Sequence, residues 1–184
     1  MNRNKKTASD KNRASHVALC GILTGLGVAV MYLGSFIEIL DLTVAVVASL
    51  FCIIAVIEIG SKWAWGIYAA TALLSALLLP NKFPAAVYLF FAGFYPIIKE
   101  KLEGRIKVRV LSYALKLIIF NIAFAAIAAV SIFVLRLPVE GDWLLPALFV
   151  LGNVTFAVYD LALTRLITMY IVTIRPRLTF LKKK

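Results

Sequence analysis

The sequence predicts an all-α integral membrane protein, a six-transmembrane-helix bundle with both termini in the cytoplasm. Of its 184 residues, 62% are hydrophobic, and the mean hydropathy is +0.95. A soluble domain carries a more polar surface than this composition supplies. The apolar stretches approach the roughly 20 residues that cross a bilayer, and short polar turns separate them. The length allows one bundle and no separate soluble domain.

The predicted membrane domain occupies residues 16–175, between basic cytoplasmic tails at 1–15 and 176–184. The first tail has almost no apolar residues and cannot bury enough surface to fold alone, so it is predicted to be disordered. We place the six spans at about 17–36, 42–59, 63–79, 85–98, 110–135 and 145–173. The fourth span is short, and Pro96 can kink it. Residues 99–109 form a mixed-charge connection, either a surface helix and turn or a solvated loop at the lipid headgroups.

The orientation of the bundle follows from its lysines and arginines. Lys82 and Arg136 lie in outer loops, Lys116 and Arg165 lie within spans, and all the others fall in the tails and inner loops. The positive-inside rule therefore places both termini in the cytoplasm, which requires an even number of spans. The same asymmetry explains the net charge of +11 without a nucleic acid partner. We expect a multi-pass protein of the cell membrane, in contact with the lipid bilayer.

The sequence does not favour an enzyme. His16 is the only histidine, and there is no HExxH zinc motif, no GxSxG elbow and no nucleotide-binding P-loop. Cys20 and Cys52 lie in different spans without a CxxC pair, and they are predicted to be packing residues. We therefore predict no catalytic residues, no metal and no cofactor.

Small residues follow one stripe of the first span, at Ala14, Ala18, Gly21 and Gly25. Their spacing of three or four residues places them on one helix face, and the lack of large side chains there lets a second helix approach closely. That second helix belongs either to the bundle itself or to a partner protein. The sequence leaves both alternatives open.

Charged residues occur inside the spans, and the last span carries Asp160 and Arg165 together with Asn153. A charged side chain near the centre of a spanning helix costs roughly 2.5–3.5 kcal/mol on insertion scales, so such residues are expected to face the protein interior. The predicted intramembrane charge cluster consists of Glu58, Lys116, Asp160 and Arg165. These residues either neutralise one another and fix the helix register, or relay a conformational change to a partner.

Other polar and aromatic groups are predicted to converge nearer the outside. The candidate substrate-binding residues are Glu38, Asp41, Tyr88, Asn121 and Asn153. Amides and aromatic rings beneath short outer loops are what a small-molecule pocket between helices needs. Taken singly, each residue is also explained as an interhelical hydrogen bond or an interface anchor.

The chain resembles the substrate-binding (S) components of energy-coupling factor (ECF) transporters, which capture vitamins and trace metals in prokaryotes. The shared features are a mass of 20.3 kDa, six predicted spans, a basic N-terminal tail and the Ala14-Ser-His-Val-Ala18 sequence. The resemblance implies a prokaryotic plasma membrane protein that binds a small organic solute, such as a vitamin or precursor, while separate ATPase subunits consume ATP. The N-terminus lacks the histidines of the nickel and cobalt members, which argues against a metal as the solute.

The resemblance also implies roles for the residues named above. The small residues Ala14, Ala18, Gly21 and Gly25 would dock a transmembrane coupling subunit, and Glu38, Asp41, Tyr88, Asn121 and Asn153 would line the solute pocket. The chain is also similar in outline to the MreD-like group of small six-span proteins. That similarity implies a non-transporting scaffold that recruits other membrane proteins and needs no outer pocket.

Overall fold

The computed structural model describes residues 3–106, 108–134 and 144–177, and these ranges are helical apart from short turns and contain no strand. The helices are α1 (Arg3–Gly34), α2 (Asp41–Glu58), α3 (Ser61–Leu78), α4 (Phe83–Val87), α5 (Tyr95–Arg105), α6 (Arg109–Ala129) and α7 (Leu144–Met169). A π-helical turn follows each of α4, α6 and α7, at Tyr88–Ala92, Val130–Val134 and Tyr170–Ile174. The predicted all-α class is confirmed for the described residues.

Four helical stretches are long and apolar enough to cross a membrane, which indicates a membrane protein. They are Arg13–Gly34, Asp41–Glu58, Arg109–Val134 and Pro146–Thr173, with mean hydropathies between 1.6 and 2.7. They correspond to the first, second, fifth and sixth predicted spans. The third predicted span is α3, which has 18 residues but is less apolar because it begins Ser61-Lys62-Trp63.

The fourth predicted span is not one continuous helix, which corrects the prediction of a single helix over residues 85–98. The chain runs through α4 and its π-helical turn, breaks at Gly93 and Phe94, and continues as α5. Pro96 lies in the first turn of α5, where the missing N–H has no helical partner to lose. Pro96 therefore starts a helix and does not kink one.

Gly93 lies at the break, where two aromatic rings approach the backbone closely. A Cβ atom at this position would lie 2.6 Å from Tyr68 Cδ2 and 2.6 Å from Tyr88 Cε1. Two aromatic rings thus close over the backbone, and a glycine is required to admit them.

Both charged segments next to the membrane are more helical than the sequence suggests. The first tail is predicted to be disordered, whereas α1 begins at Arg3 and has 32 residues, or about 48 Å at 1.5 Å per residue. Extending a formed helix adds a hydrogen bond for each residue fixed, so a stable span can propagate into its flank. At the other segment, α5 continues to Arg105, through seven of the eleven residues of the mixed-charge connection.

The described helices divide into two units, Met1–Pro138 and Val139–Lys184. In the first unit, α1, α2 and α3 pack against one another. Their shared core is rich in alanine, including Ala45, Ala48, Ala55, Ala64 and Ala72, and small side chains let helices approach closely. Cys52 is buried in this core, and its thiol lies 3.7 Å from the Ala64 carbonyl oxygen, which agrees with a packing role.

Large apolar side chains lie exposed on the outward faces of the helices. Leu77 of α3, Val110 and Ile122 of α6, and Leu161 of α7 are each at least two-thirds exposed. Extensive exposed apolar surface marks contact with a membrane or another protein. These faces fit contact with lipid chains.

Gly34, the last residue of α1, provides a test of the α1–α2 packing. A Cβ atom there would overlap Val44 Cγ1 and lie 2.9 Å from Val44 Cβ, and a β-branched side chain has little rotamer freedom to move away. We expect Gly34→Ala to destabilise the protein by about 1–3 kcal/mol, as overpacking does. Thermal unfolding of the purified protein in detergent measures the effect.

Gly21→Ala is the matched control, because its added Cβ would meet no atom within 4 Å. Adding Val44→Ala to Gly34→Ala should restore part of the lost stability. Equal melting temperatures for Gly34→Ala and Gly21→Ala would contradict the close approach of α1 to α2.

Candidate functional site

One end of the first unit holds a polar pair formed by Asp41 and Asn81. Asn81 Nδ2 donates a hydrogen bond to Asp41 Oδ2 at 2.6 Å, and Asn81 Oδ1 accepts one from the Phe83 backbone N–H at 3.0 Å. Asp41 is only 7% exposed and lies in the first turn of α2, where a negative charge is favoured. We call this pair the Asp41–Asn81 clasp. It ties the α1–α2 turn to the α3–α4 turn.

Lys82, beside the clasp, turns back onto α3. Its ammonium donates hydrogen bonds to the carbonyl oxygens of Leu79 at 2.6 Å and Leu77 at 3.4 Å. A lysine at this position satisfies carbonyls that the helix end leaves open. Glu38 lies in the 3₁₀ turn Glu38–Leu40, and its side chain is outside the described part of the structure.

Tyr88 lies in the core of the first unit and is fully buried. Its ring packs on Tyr68 with centroids 6.1 Å apart. The Tyr68 hydroxyl donates a hydrogen bond to the Leu89 carbonyl oxygen at 2.7 Å, within the π-helical turn. A π-helical turn displaces carbonyls from the regular ladder, and Tyr68 uses one of them.

Asn121 and Asn153 each bond to their own helix. Asn121 Nδ2 donates to the Leu117 carbonyl oxygen, and Asn153 Nδ2 donates to the Phe149 carbonyl oxygen, both at 2.9 Å. Such bonds to the carbonyl four residues earlier are a common way for a polar side chain to satisfy a donor inside a helix. Asn121 belongs to α6 in the first unit, and Asn153 belongs to α7 in the second.

The opposite end of the first unit holds a charge cluster that joins α5 to α6. Glu103 Oε1 lies 3.1 Å from Lys99 Nζ and 2.6 Å from Lys116 Nζ. The lysine side chains are buried, at 1% and 6% exposure, whereas Glu103 is 46% exposed. We call this the Lys99–Glu103–Lys116 cluster. It compensates two buried positive charges, which would otherwise be costly.

Only Lys116 of this cluster was singled out from the sequence. Lys99 and Glu103 fall in the mixed-charge connection, for which the sequence predicts either a surface helix and turn or a solvated loop. The structure places both on α5, with Lys99 buried. Their spacing of four residues, typical of a helical ion pair, was the signal that could have identified them.

Two further contacts hold α5 against α3 at this same end, which we call the basic end because Arg13, Lys62, Lys99 and Arg109 lie there. The Ser61 hydroxyl donates a hydrogen bond to Glu100 Oε2 at 2.6 Å. Lys101 Nζ lies over the Trp65 ring, 5.7 Å from its centroid, within the range of a cation–π interaction.

The pKa of Glu103 is set by opposing effects. Partial burial raises the pKa of its carboxyl, but the hydrogen bonds and charges of Lys116 and Lys99 lower it by more, so that it lies below the ordinary value of 4.5. Glu103 is therefore ionised at neutral pH, as the cluster requires.

The other members of the predicted charge cluster are Glu58, Asp160 and Arg165. Glu58 is half-buried at the end of α2. On α7, Asp160 is buried and shares one face with the buried side chains of Phe156 and Leu163, and Arg165 is exposed. The Thr164 hydroxyl donates to the Asp160 backbone carbonyl oxygen at 2.8 Å.

The predicted docking stripe borders a groove between α1 and α3. The groove has a volume of about 510 Å³, and its walls include Gly21 and Gly25 of α1 and Gly66 and Ala70 of α3. A Cβ atom added at Gly21, Gly25 or Gly66 would meet nothing within 4 Å. We call it the α1–α3 groove. Ala14 and Ala18 are exposed along the same stripe of α1.

The α3 wall of the groove was not anticipated. Gly66 and Ala70 are four residues apart, which is itself a small-residue motif of the kind that admits a second helix. The sequence therefore contained the signal.

Comparisons with protein-family models, with curated proteins and with solved structures find no match. Within the described ranges, no three side chains of histidine, cysteine, aspartate or glutamate come together as metal ligands. The evidence for function therefore comes from the Asp41–Asn81 clasp, the Lys99–Glu103–Lys116 cluster and the α1–α3 groove.

The lowered pKa of Glu103 predicts a pH-dependent stability. A carboxyl whose pKa is lowered by folding contributes stability that is present above its unfolded pKa and lost as the pH falls through its folded pKa. We expect Glu103→Gln to lower the melting temperature near neutral pH, and we expect this difference to shrink as the pH falls below about 4.5. Thermal unfolding in detergent across that pH range measures it.

Glu100→Gln is the control, because Glu100 bonds to the Ser61 hydroxyl and the substitution keeps an acceptor for that bond. Its effect should depend less on pH. A difference between wild type and Glu103→Gln that stays constant over the whole pH range would show that the ion pairs do not stabilise the fold.

Proposed function

We propose that the protein is the membrane-embedded substrate-binding subunit of a transporter for a small organic solute, such as a vitamin or precursor, in a prokaryotic cell membrane. In this proposal the chain crosses the membrane six times. The third span is α3, and the fourth is residues 85–98 of the broken α4–α5 segment. Both termini are cytoplasmic. The clustering of Arg13, Lys62, Lys99 and Arg109 at one end of the first unit supports this orientation through the positive-inside rule.

The observation that carries the proposal is the Asp41–Asn81 clasp. A buried carboxylate at the start of α2 and an amide in the α3–α4 turn meet at the end opposite the basic end. A polar solute could exchange its own hydrogen bonds for the one that joins these side chains, so that the two turns move when it binds. Capture at this end, closure of the turns and reorientation of the bundle would then be the transport steps.

The α1–α3 groove supports dependence on a partner subunit. Its small residues leave space that the described part of the first unit does not fill, and close approach of backbones is how membrane helices associate. A helix of a transmembrane coupling subunit is the proposed occupant. The chain has no P-loop, so ATP hydrolysis would belong to separate ATPase subunits.

One observation favours the alternative of a non-transporting, MreD-like scaffold. Tyr88 is fully buried in the core, and the Asn121 and Asn153 amides bond to their own helices. Packing of the bundle thus accounts for three of the residues predicted to bind solute. A scaffold would use the groove and the basic end to recruit other membrane proteins.

A melting-temperature screen with vitamins and nucleobases separates the two functions. A solute at one hundred times its dissociation constant stabilises the folded state by about 2.7 kcal/mol, which is easily detected. We expect one class of solute to stabilise the wild type, and we expect Asp41→Asn to lose that shift while remaining folded. Glu100→Gln, an acid-to-amide change at the basic end, should keep it.

If no member of the panel stabilises the wild type, solute binding is wrong and the scaffold stands. Retention of the full shift by Asp41→Asn would remove the clasp from the binding site.

Large side chains placed in the α1–α3 groove test whether a partner subunit docks there. Leucine at Gly21 and Gly25, or at Ala14 and Ala18, should abolish co-purification with a coupling subunit and its ATPases, because the partner backbone could no longer approach. Ala125→Leu is the control, since Ala125 is an exposed alanine on α6. Unchanged co-purification of the groove variants would refute docking at this surface.

A further inference from the structure

The Lys99–Glu103–Lys116 cluster has a geometry that a simple ion pair does not need. Ammonium groups from two different helices converge on one oxygen atom, Glu103 Oε1, at 3.1 Å and 2.6 Å. The two lysines are buried and the carboxylate is nearly half exposed. The anion is therefore the accessible member of the cluster, and the cations lie behind it.

A buried hydroxyl lies on the same face of α6. Ser112 is one helical turn before Lys116, and its side chain is buried. Among the described residues, Ser112 Oγ has no hydrogen-bond partner. A buried hydroxyl without a partner costs free energy, and it is a donor ready for an additional acceptor.

The depth of the cluster suits a headgroup phosphate. Lys116 lies seven residues after Arg109, the first residue of α6, which is about 10 Å along the helix axis. Helical side chains lean toward the N-terminus, and a lysine extends its ammonium toward the polar boundary. Both effects bring the Lys116 ammonium to the level of the lipid headgroups at the basic end.

We propose that Lys99, Lys116 and Ser112 form a binding site for a phosphate group, for which the Glu103 carboxylate is an internal competitor. A phosphate offers several oxygens, so it can bridge both ammonium groups and accept a hydrogen bond from the Ser112 hydroxyl. Charge-assisted bonds of this kind are stronger than neutral ones. Glu103 is free to turn outward because its side chain is exposed. The site is separate from the clasp and does not depend on the proposed transport function.

The phosphate could belong to an anionic lipid or be free in solution. We would measure melting temperatures in neutral detergent with sodium phosphate against sodium chloride at equal ionic strength, and with phosphatidylglycerol against phosphatidylcholine. Stabilisation by phosphatidylglycerol alone assigns a lipid headgroup, and stabilisation by inorganic phosphate alone assigns a free oxyanion. Stabilisation by both supports the phosphate chemistry common to the two sources.

Substitutions test the proposed roles of Glu103 as competitor and of Lys116 and Ser112 as phosphate ligands. Glu103→Gln removes the competitor, so its apparent affinity for the stabilising phosphate should be at least about tenfold tighter than that of the wild type. Lys116→Met should lose the response, whereas Arg105→Gln, at an exposed position on α5, should keep it. Because Lys116→Met could fail to fold, Glu103→Gln combined with Ser112→Ala provides a milder test, and it should weaken the response of Glu103→Gln.

The proposal is overturned if Glu103→Gln shows no stabilisation by either probe, because Glu103 would then be only a structural counterion. It is also overturned if Arg105→Gln loses the response as fully as Lys116→Met, which would indicate a diffuse charge effect.

Discussion

Hydrocarbon does not solvate polar groups, and this constraint organises the whole chain. Several polar side chains on the helices find a partner within their own helix or on a neighbour. The amides of Asn121 and Asn153 use carbonyls four residues earlier. Tyr68 reaches across to the π-helical turn. Charges are gathered at the basic end, where Glu103 meets two lysines.

The first unit therefore has two polar ends and an apolar middle. The clasp and the cluster are each built from side chains of different elements, so each fixes the relative position of two helices. They differ in accessibility, since Asp41 is buried whereas Glu103 is half exposed. The Glu103 carboxylate is thus accessible at one end, whereas the Asp41 carboxylate is covered at the other.

The sequence predicted the helical class well, because hydrophobic span length and turn residues are local signals. It also singled out Asp41, one half of the clasp, as a candidate pocket residue. Which residue Asp41 would bond to depended on how two turns meet, and Asn81 is forty residues away. The periodicity of hydrophobic residues along the chain does not tell which turns come into contact.

The break between α4 and α5 was missed for a related reason. From the sequence, Pro96 suggests a kink. The close contacts at the break are those of the Tyr68 and Tyr88 rings with the Gly93 backbone, and Tyr68 belongs to α3. The burial of Lys99 was missed because a run of alternating charges usually indicates a solvated surface. The packing of α5 against α2, α3 and α6 makes it interior.

The broken segment also explains how one short stretch of chain serves both polar ends. Its first backbone amide, that of Phe83, donates to the clasp, and its last turns carry Lys99 and Glu103 of the cluster. The regular helix is interrupted at Gly93 and Phe94, so this stretch contributes to the clasp through the start of α4 and to the cluster through α5. The rings of Tyr68 and Tyr88 pack over the Gly93 backbone between these two attachments. A side chain at Gly93 would therefore displace a ring that lies between the clasp and the cluster.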